Sequence, residues 1–425
     1  MMNINYLLKT FKTLIICAAV FSISSCVKEY DENYIAGKFV ASDNCPDLYK
    51  MIEECSKDKR IIILGECGHG DGRTFEIKSE IVRYLDSVGD YTLLLEGMNP
   101  FDGAILHKEL PVLNINSSLL NIHNSWNALW SQTKETSELV DAMDKNQIDF
   151  YGMDVNPTYC NYFQIAYLSN LFYSDSIMRK NLFDYKWEKL LEIDRNLYLL
   201  KDSIVKESDY QYYDSALMAM KDRVNNENVS FNKDAVSLLI DNMLSFSNHV
   251  KCGFSVTCDS CINCGIMIRD RQMADNVAWY LDHHPEKKVI IWAANFHGAK
   301  EISQIRYGKE PNPDLYNEYT LLGEHLERMF PGQVYSVAFT SGGGEIGYFN
   351  QDESSPIQPD SISVEFALRQ SGIEYGYLDF GSNPKLEDVP FHSILLGYHN
   401  KIGKWAKAFD AIFYIKENSK AHGIE

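Results

Sequence analysis

An α/β fold, with a three-layer core around a mostly parallel central sheet and an inserted all-helical subdomain, is what this sequence predicts. Three observations predict it. From Lys59 onward, short buried apolar runs alternate with segments of helical spacing, the signature of a parallel sheet covered on both faces. Four of those runs end at their carboxyl sides in polar groups. From Pro157 to about Val250 strand-like runs vanish, while Leu, Tyr, Lys and Asp recur at helical spacing.

The chain opens on Lys9 and Lys12, an apolar run from Leu14 to Ile23, and Ser24-Ser25-Cys26. The run is far short of the roughly 20 residues of a membrane span, so it reads as a signal peptide. Its Ser-Ser-Cys ending resembles a bacterial lipobox, which implies cleavage before Cys26 and acylation of that cysteine. The charged stretch Val27 to Glu32 then reads as a tether. The expected location is the cell envelope, lipid-anchored to the outer membrane and facing either the periplasm or the cell surface. The net charge is −19, and losing the two signal-peptide lysines makes it −21. Such a balance excludes nucleic acid as a partner and leaves the acyl chains on Cys26 as the only expected hold on a bilayer.

In order, Ile61 to Leu64 is a fully apolar strand, and Phe75, Ile77, Ile81, Val82 and Leu85 place a helix over roughly 74–87. Tyr91 to Leu95 runs into Glu96-Gly97; a helix is expected over 130–146; and Ile148 to Met153 ends at Asp154. Helices are expected near 158–180, 182–205, 208–226 and 231–250. A further helix begins at Arg269 and leads to the strand Lys288 to Asn295, followed by His297. Leu321 to Phe330 reads as helix, and Gln333 to Thr340 as a strand before the loop Ser341-Gly342-Gly343-Gly344. That loop lacks a following Lys-Ser/Thr and reads as a turn, not a phosphate cradle. Tyr375 to Phe380 and Ala411 to Ile415 close the strand set. The expected division is therefore signal peptide 1–25, tether 26–40, α/β core 41–156 with 265–425, and helical insertion 157–264.

Eight cysteines remain after Cys17 and Cys26. Four of them, Cys252, Cys258, Cys261 and Cys264, form one cluster that suits two disulfides in an oxidising compartment, a zinc or iron–sulfur site, or free thiols. Cys67, two positions before His69, reads as a small buried loop residue in preference to a nucleophile.

In a parallel sheet the carboxyl ends of the strands share one edge, where ligands bind. Glu66 and His69, Glu96, Asp154, and Asn295 with His297 therefore converge on one crevice. Two imidazoles among three carboxylates suit acid–base catalysis or a metal site. A His paired with Glu has its tautomer fixed and its basicity raised, which equips it to take a proton from water.

Several blocks in register also resemble the erythromycin esterase family. They are Gly65-Glu66-x-x-His69-Gly70, Phe75-Glu76-x-Lys78, the strand end at Glu96, Trp130 with Glu135, Gly152-x-Asp154, Arg269-Asp270-x-x-Met273-Ala274-x-Asn276, Trp292-Ala293-x-Asn295-x-His297, and Phe409-Asp410-Ala411. The resemblance implies an α/β core with a helical part above the site, and metal-independent, cofactor-free cleavage of a small-molecule ester or lactone by water. It implies His69 as the base, Glu66 beside it, and Glu96 and His297 lining the cleft. Lys78 stands where members carry Arg or Lys and is expected to stabilise an oxyanion. Arg73, Trp130, Asp154, Arg269 and Asn295 are expected to surround the substrate. Ala294 departs from the pattern, standing where the family has the first histidine of His-Asn-x-His, and Cys67 and Arg73 depart from its usual residues. The same Glu-x-x-His element is similar to one in a wider superfamily of haem-binding lipoproteins and membrane metalloproteases, in which His69, Glu66 and His297 would hold iron or another metal. The missing histidine at 294 motivates a third reading, a binding protein that has lost catalysis.

Overall fold

The computed structural model describes residues 31–111, 121–156, 164–180, 185–199, 204–253, 259–307 and 315–424. The signal peptide, Cys26, Cys160 and the side chains of Cys258, Cys261 and Cys264 lie outside the described residues.

The four apolar residues Ile61–Leu64 (β2) have no exposed surface, and the strand's two neighbours in the sheet, Lys288–Trp292 and Val334–Ser341, are buried at every position but Lys288. Around β2 lie Val40–Ser42 (β1), Tyr91–Leu95 (β3), Asp149–Gly152 (β4), Lys288–Trp292 (β5), Val334–Ser341 (β7), Tyr375–Asp379 (β10) and Ala411–Ile415 (β13). Their spatial order is β1-β10-β13-β7-β2-β5-β3-β4. Every pairing from β13 to β4 is parallel, and β10 runs against both its neighbours.

Side chains alternate across β2. Ile61 and Ile63 join Leu94, Val289 and Ile291 in one core layer, shared with Leu168, Leu217 and Leu239 of the helical region. Ile62 and Leu64 join Leu93, Leu95, Ile290 and Trp292 in the other, against Phe75, Ile77 and Ile81. Each such side chain contributes on the order of 1.5–3 kcal/mol on burial, which is why a strand with no polar position is stable here and nowhere on a surface.

Helix Gly72–Val88 carries the chain from β2 to β3 and stops at Gly89, whose N–H closes on Leu85. Helices Gln164–Ser174, Trp187–Tyr198, Glu207–Asn226 and Lys233–Gly253 match the four expected over the insertion. Three expectations need correction. The helix expected from Arg269 already runs from Asp259 to His283. The helix expected over 130–146 is broken into Ala128–Ser131, a 3-10 turn Lys134–Thr136 and Ser137–Asp144. The break falls where Thr133 and Thr136 hydroxyls both take the Trp130 carbonyl that would have continued the helix. Third, the segment expected as tether forms helix Glu32–Ala36, with Ile35 fully buried.

A second, antiparallel sheet of Ile305–Tyr307 (β6), Phe391–Leu396 (β11) and His399–Gly403 (β12) escapes the sequence reading, its strands being short and punctuated by Gly and His, and Glu345–Ile346 (β8) pairs with Ser355–Pro356 (β9). Among the described residues no helix is long and apolar enough to cross a membrane.

Candidate active site

Glu66 stands two residues past β2 and is fully buried, so its charge needs partners inside the protein. It has three. His69 Nδ1 lies 2.9 Å from Oε1, the Trp130 indole N–H donates to the same oxygen at 2.9 Å, and Lys78 Nζ donates to Oε2 at 2.5 Å. With Nδ1 held by a carboxylate, the neutral imidazole carries its free lone pair on Nε2. The His69 side chain keeps 33% of its exposure, and among the described residues no other hydrogen bond reaches the ring. Burial works against the charged imidazole, but the bond to Glu66 and the fields of Glu96 and Glu66 outweigh both burial and His297, raising its pKa above the ordinary 6.5.

Glu96, one residue past β3, is equally buried. Its Oε2 accepts the Ala294 N–H at 2.9 Å, and Oε1 meets Arg269 at 3.0 Å and His297 Nε2 at 3.3 Å. Burial favours the neutral acid, yet the positive charges of His297, Arg269 and His69 pull the carboxyl well below its usual range. Arg269, from the middle of its long helix, also forks onto Asp154, at 2.9 Å through Nε and 2.5 Å through a terminal nitrogen. Asp154 in turn takes the Gly97 N–H at 2.8 Å, tying the ends of β3 and β4 together. His297 donates from Nδ1 to Asp270 at 2.9 Å. Burial opposes its charge, and Asp270 with Glu96 overrides that, raising its pKa to about 10; Arg269 Nη1 also lies 3.1 Å from its Nε2.

The structure thus gathers two bonded sets at the carboxyl edge of β2, β5, β3 and β4: Glu66 with His69 and Trp130, and Glu96 with Arg269, Asp154 and His297; the fields of Glu96 and His297 reach His69. Three expected substrate contacts stand elsewhere. Lys78 has no exposed surface; it sits behind Glu66, 4.0 Å from the centre of the Trp292 ring, where no substrate oxyanion reaches it. Arg73 pairs with Glu76 and donates to the Tyr375 hydroxyl at 2.8 Å. Asn295 spends its whole amide on backbone: Nδ2 donates to Phe339 and Leu395 carbonyls, both at 2.7 Å, and Oδ1 accepts the Phe339 N–H at 3.0 Å. It clamps β7 and β11 to the end of β5. Gly65 makes room for this, since a Cβ there would lie 2.0 Å from Asn295 Oδ1.

Two residues escaped the sequence reading. Asp270 holds both His297 Nδ1 and the Leu322 N–H, and only its place beside Arg269 in a matching block marked it. Asp71, buried at the start of helix Gly72–Val88, turns its carboxylate back to the Gly68 N–H at 2.9 Å and so fixes the loop that carries His69. Cys67 is buried, its thiol donating to the Ile394 carbonyl at 3.1 Å and accepting the Tyr398 N–H at 3.2 Å, with burial pushing its pKa well up. A thiol so held is no nucleophile. Cys45, Cys55 and Cys67 are free thiols. Among the described residues no group of three His, Cys, Asp or Glu side chains has the geometry to hold a metal ion.

Residues 118–418 match the family model described as erythromycin esterase. The chain is 22% identical over 420 residues to YbfO of Bacillus subtilis (strain 168), whose name assigns it provisionally to the hydrolases; the match covers 87% of each chain. It is 28% identical over 164 residues to erythromycin esterase type II of Escherichia coli, covering 36% of this chain and 37% of that one. Its fold is similar to that of the erythromycin esterase mutant EreC in its open conformation, with a TM-score of 0.65 at 15% identity, over 89% of this chain and 95% of that one.

Proposed function

The chain belongs to the erythromycin esterase family, and we propose that it is a hydrolase that cleaves an ester or lactone with water activated by His69. Family membership supports the hydrolase. The observation that carries the finer reading is the His69–Glu66 pair: Nδ1 is held at 2.9 Å by a buried carboxylate, and the side chain is part-exposed with no other hydrogen bond on its ring among the described residues. In the proposed step Nε2 takes a proton from water as the oxygen attacks the ester carbonyl. The Glu66 carboxylate stabilises the imidazolium that forms, and the proton passes to the leaving alkoxide as the tetrahedral intermediate collapses. The positive charge of Arg269 and His297 beside Glu96 is placed to offset the developing oxyanion. The step draws on protein groups alone.

Ala294 puts a methyl group where the family pattern has an imidazole, so we leave the acid and alcohol halves of the substrate unassigned and do not extend the macrolide to this chain. The proposal includes an envelope location, with acyl chains on Cys26 as the anchor.

The test is turnover of a panel of esters and lactones by the wild type and His69→Ala. A loss of at least about 100-fold in kcat is expected, within the range for removing a positioned base. Because the base form is the neutral imidazole and its pKa is raised, wild-type kcat/KM is expected to fall as pH drops through a value above 6.5. Equal rates for the two proteins sink the reading.

A further inference from the structure

Glu66 Oε1 is shared by two donors, the His69 imidazole and the Trp130 indole. Neither donor sits within a long helix or a strand. His69 lies in the loop between β2 and helix Gly72–Val88, and Trp130 in the four-residue helix Ala128–Ser131. Short irregular segments do not hold a ring in place by their own hydrogen bonds, and a shift of about 1 Å in a catalytic group costs on the order of 100-fold in rate. Something must therefore fix both.

One segment touches both. Leaving β13 at Ile415, the chain runs past the His69 loop and on to the Trp130 segment. Asn418 is pinned first, its N–H on the Gly343 carbonyl at 2.9 Å and its side-chain amide donating to Asp71 Oδ1 at 3.0 Å. Asp71 is the residue whose other oxygen holds the Gly68 N–H. The Ser419 carbonyl then accepts the Gly72 N–H at 2.7 Å, and the Ala421 N–H is shared by the Gly70 and Gly347 carbonyls, each at 3.1 Å. His69 is thus bracketed on both sides by bonds that lead to this segment. One residue on, the His422 carbonyl accepts the Lys134 N–H at 2.7 Å and its ring meets Glu135 at 2.8 Å, while the Ile424 N–H reaches the Gln132 carbonyl at 3.1 Å. Those bonds fix the turn that follows Trp130. The fit is close: a Cβ on Gly72 would stand 2.4 Å from the Lys420 carbonyl oxygen, and one on Gly344, at φ +87°, 2.0 Å from that of Asn418.

We propose that residues 418–424 form a positioning strap that sets the distance between His69 and Trp130 and so holds both on one oxygen of Glu66. The proposal rests on the esterase reading for its catalytic consequence and on geometry alone for its structural one. The strap touches no reacting atom; it acts through the loop and the turn. Releasing it lets His69 drift from Glu66, while Glu96 and His297, which also act on the imidazole, stay anchored to Arg269 and Asp270.

Two variants test this in the full chain. Ala421→Pro removes the shared N–H, and Asn418→Ala removes the amide that donates to Asp71 and to the Tyr398 hydroxyl. Each is followed by NMR titration of the His69 ring, assigned by its absence from His69→Ala, and by kcat and KM on whichever ester the wild type cleaves. The expected result is a His69 pKa moved down towards 6.5, with kcat down about tenfold and KM within about twofold. Ile412→Val in β13, a destabilising change away from the strap, is expected to lower the melting temperature without moving that titration. If Ala421→Pro does not fold, Asn418→Ala carries the same reading. An unchanged His69 titration in a folded variant overturns the strap, as does an equal shift in Ile412→Val. Absence of His69-dependent turnover in the wild type removes the esterase reading, and the titration still decides the strap.

Discussion

Lys78 offers the most demanding test of the site's electrostatics. Its ammonium lies 2.5 Å from Glu66 Oε2 and 3.3 Å from the Ala293 carbonyl, over the Trp292 ring, and neither member of the ion pair has exposed surface. Lys78→Met keeps most of the side-chain volume and removes the charge. Glu66 then keeps only its bonds from His69 and Trp130, a buried carboxylate without its counter-ion. Breaking one side of such a pair costs about 3–5 kcal/mol, a large part of the roughly 5–15 kcal/mol that holds a domain together. Neutralising the other side should return most of it, because a paired loss leaves no stranded charge. We therefore expect Lys78→Met to lower the urea midpoint at pH 7 by an amount equivalent to about 3–5 kcal/mol. The double variant Lys78→Met with Glu66→Gln should recover at least about 2 kcal/mol relative to the sum of the single changes. Costs that simply add in the double variant, or a Lys78→Met cost below about 1 kcal/mol, would refute the claim that Lys78 serves Glu66.

Other consequences follow from the same contacts. Glu96→Gln removes the carboxylate facing both His297 and Arg269, so the His297 pKa should fall from about 10 by roughly a unit or more, read by NMR; one unit corresponds to about 1.4 kcal/mol. Since the folded-state value of His297 lies above the unfolded one, its contribution to stability is fully present below pH 6.5 and lost as pH rises through about 10. Melting temperature measured from pH 6 to 10 should show that decline in the wild type and a flatter course in His297→Gln. Asn295→Ala strands the Phe339 N–H and two carbonyls, each a buried loss of about 1–3 kcal/mol. It should cost about 3–5 kcal/mol in denaturant unfolding yet leave KM of the folded protein unchanged, the opposite of what a substrate ligand would show.

Much of this arrangement is legible in the chain because burial writes a strong pattern. A strand with both faces covered has nowhere to place a polar residue, so Ile61–Leu64 and Ala411–Ile415 stand out at their true limits, and the first polar residues after such runs, Glu66 and Glu96, fall at the sheet edge. What a side chain does after reaching that edge is not written in its type. Lys78 and Arg73 lie five positions apart near the start of one helix, and the helix turns one of them under Glu66 and the other towards Tyr375. Asn295 follows β5 at the same sheet edge where Glu96 follows β3, but its amide matches backbone groups on both sides and is consumed by them. Asp270 and the strap act through contacts between residues more than 25 positions apart, which no local pattern records. The β6, β11 and β12 sheet has too few apolar alternations to show a period.

The order of strands carries one more consequence, for how the protein comes into being. β2 and β3 are joined by a single helix yet are not neighbours; β5, from the far side of the helical region, lies between them. During synthesis β3 leaves the ribosome about 190 residues, and β2 about 220 residues, ahead of the strand that completes them. Until then each presents an open, apolar edge of the kind that pairs with other chains. Glu66 and Glu96 are held apart by the same gap, and the Ala294 N–H that caps Glu96 arrives only with β5. A nascent chain halted before β5 therefore has neither a finished sheet nor a site, and both form in one late, long-range step.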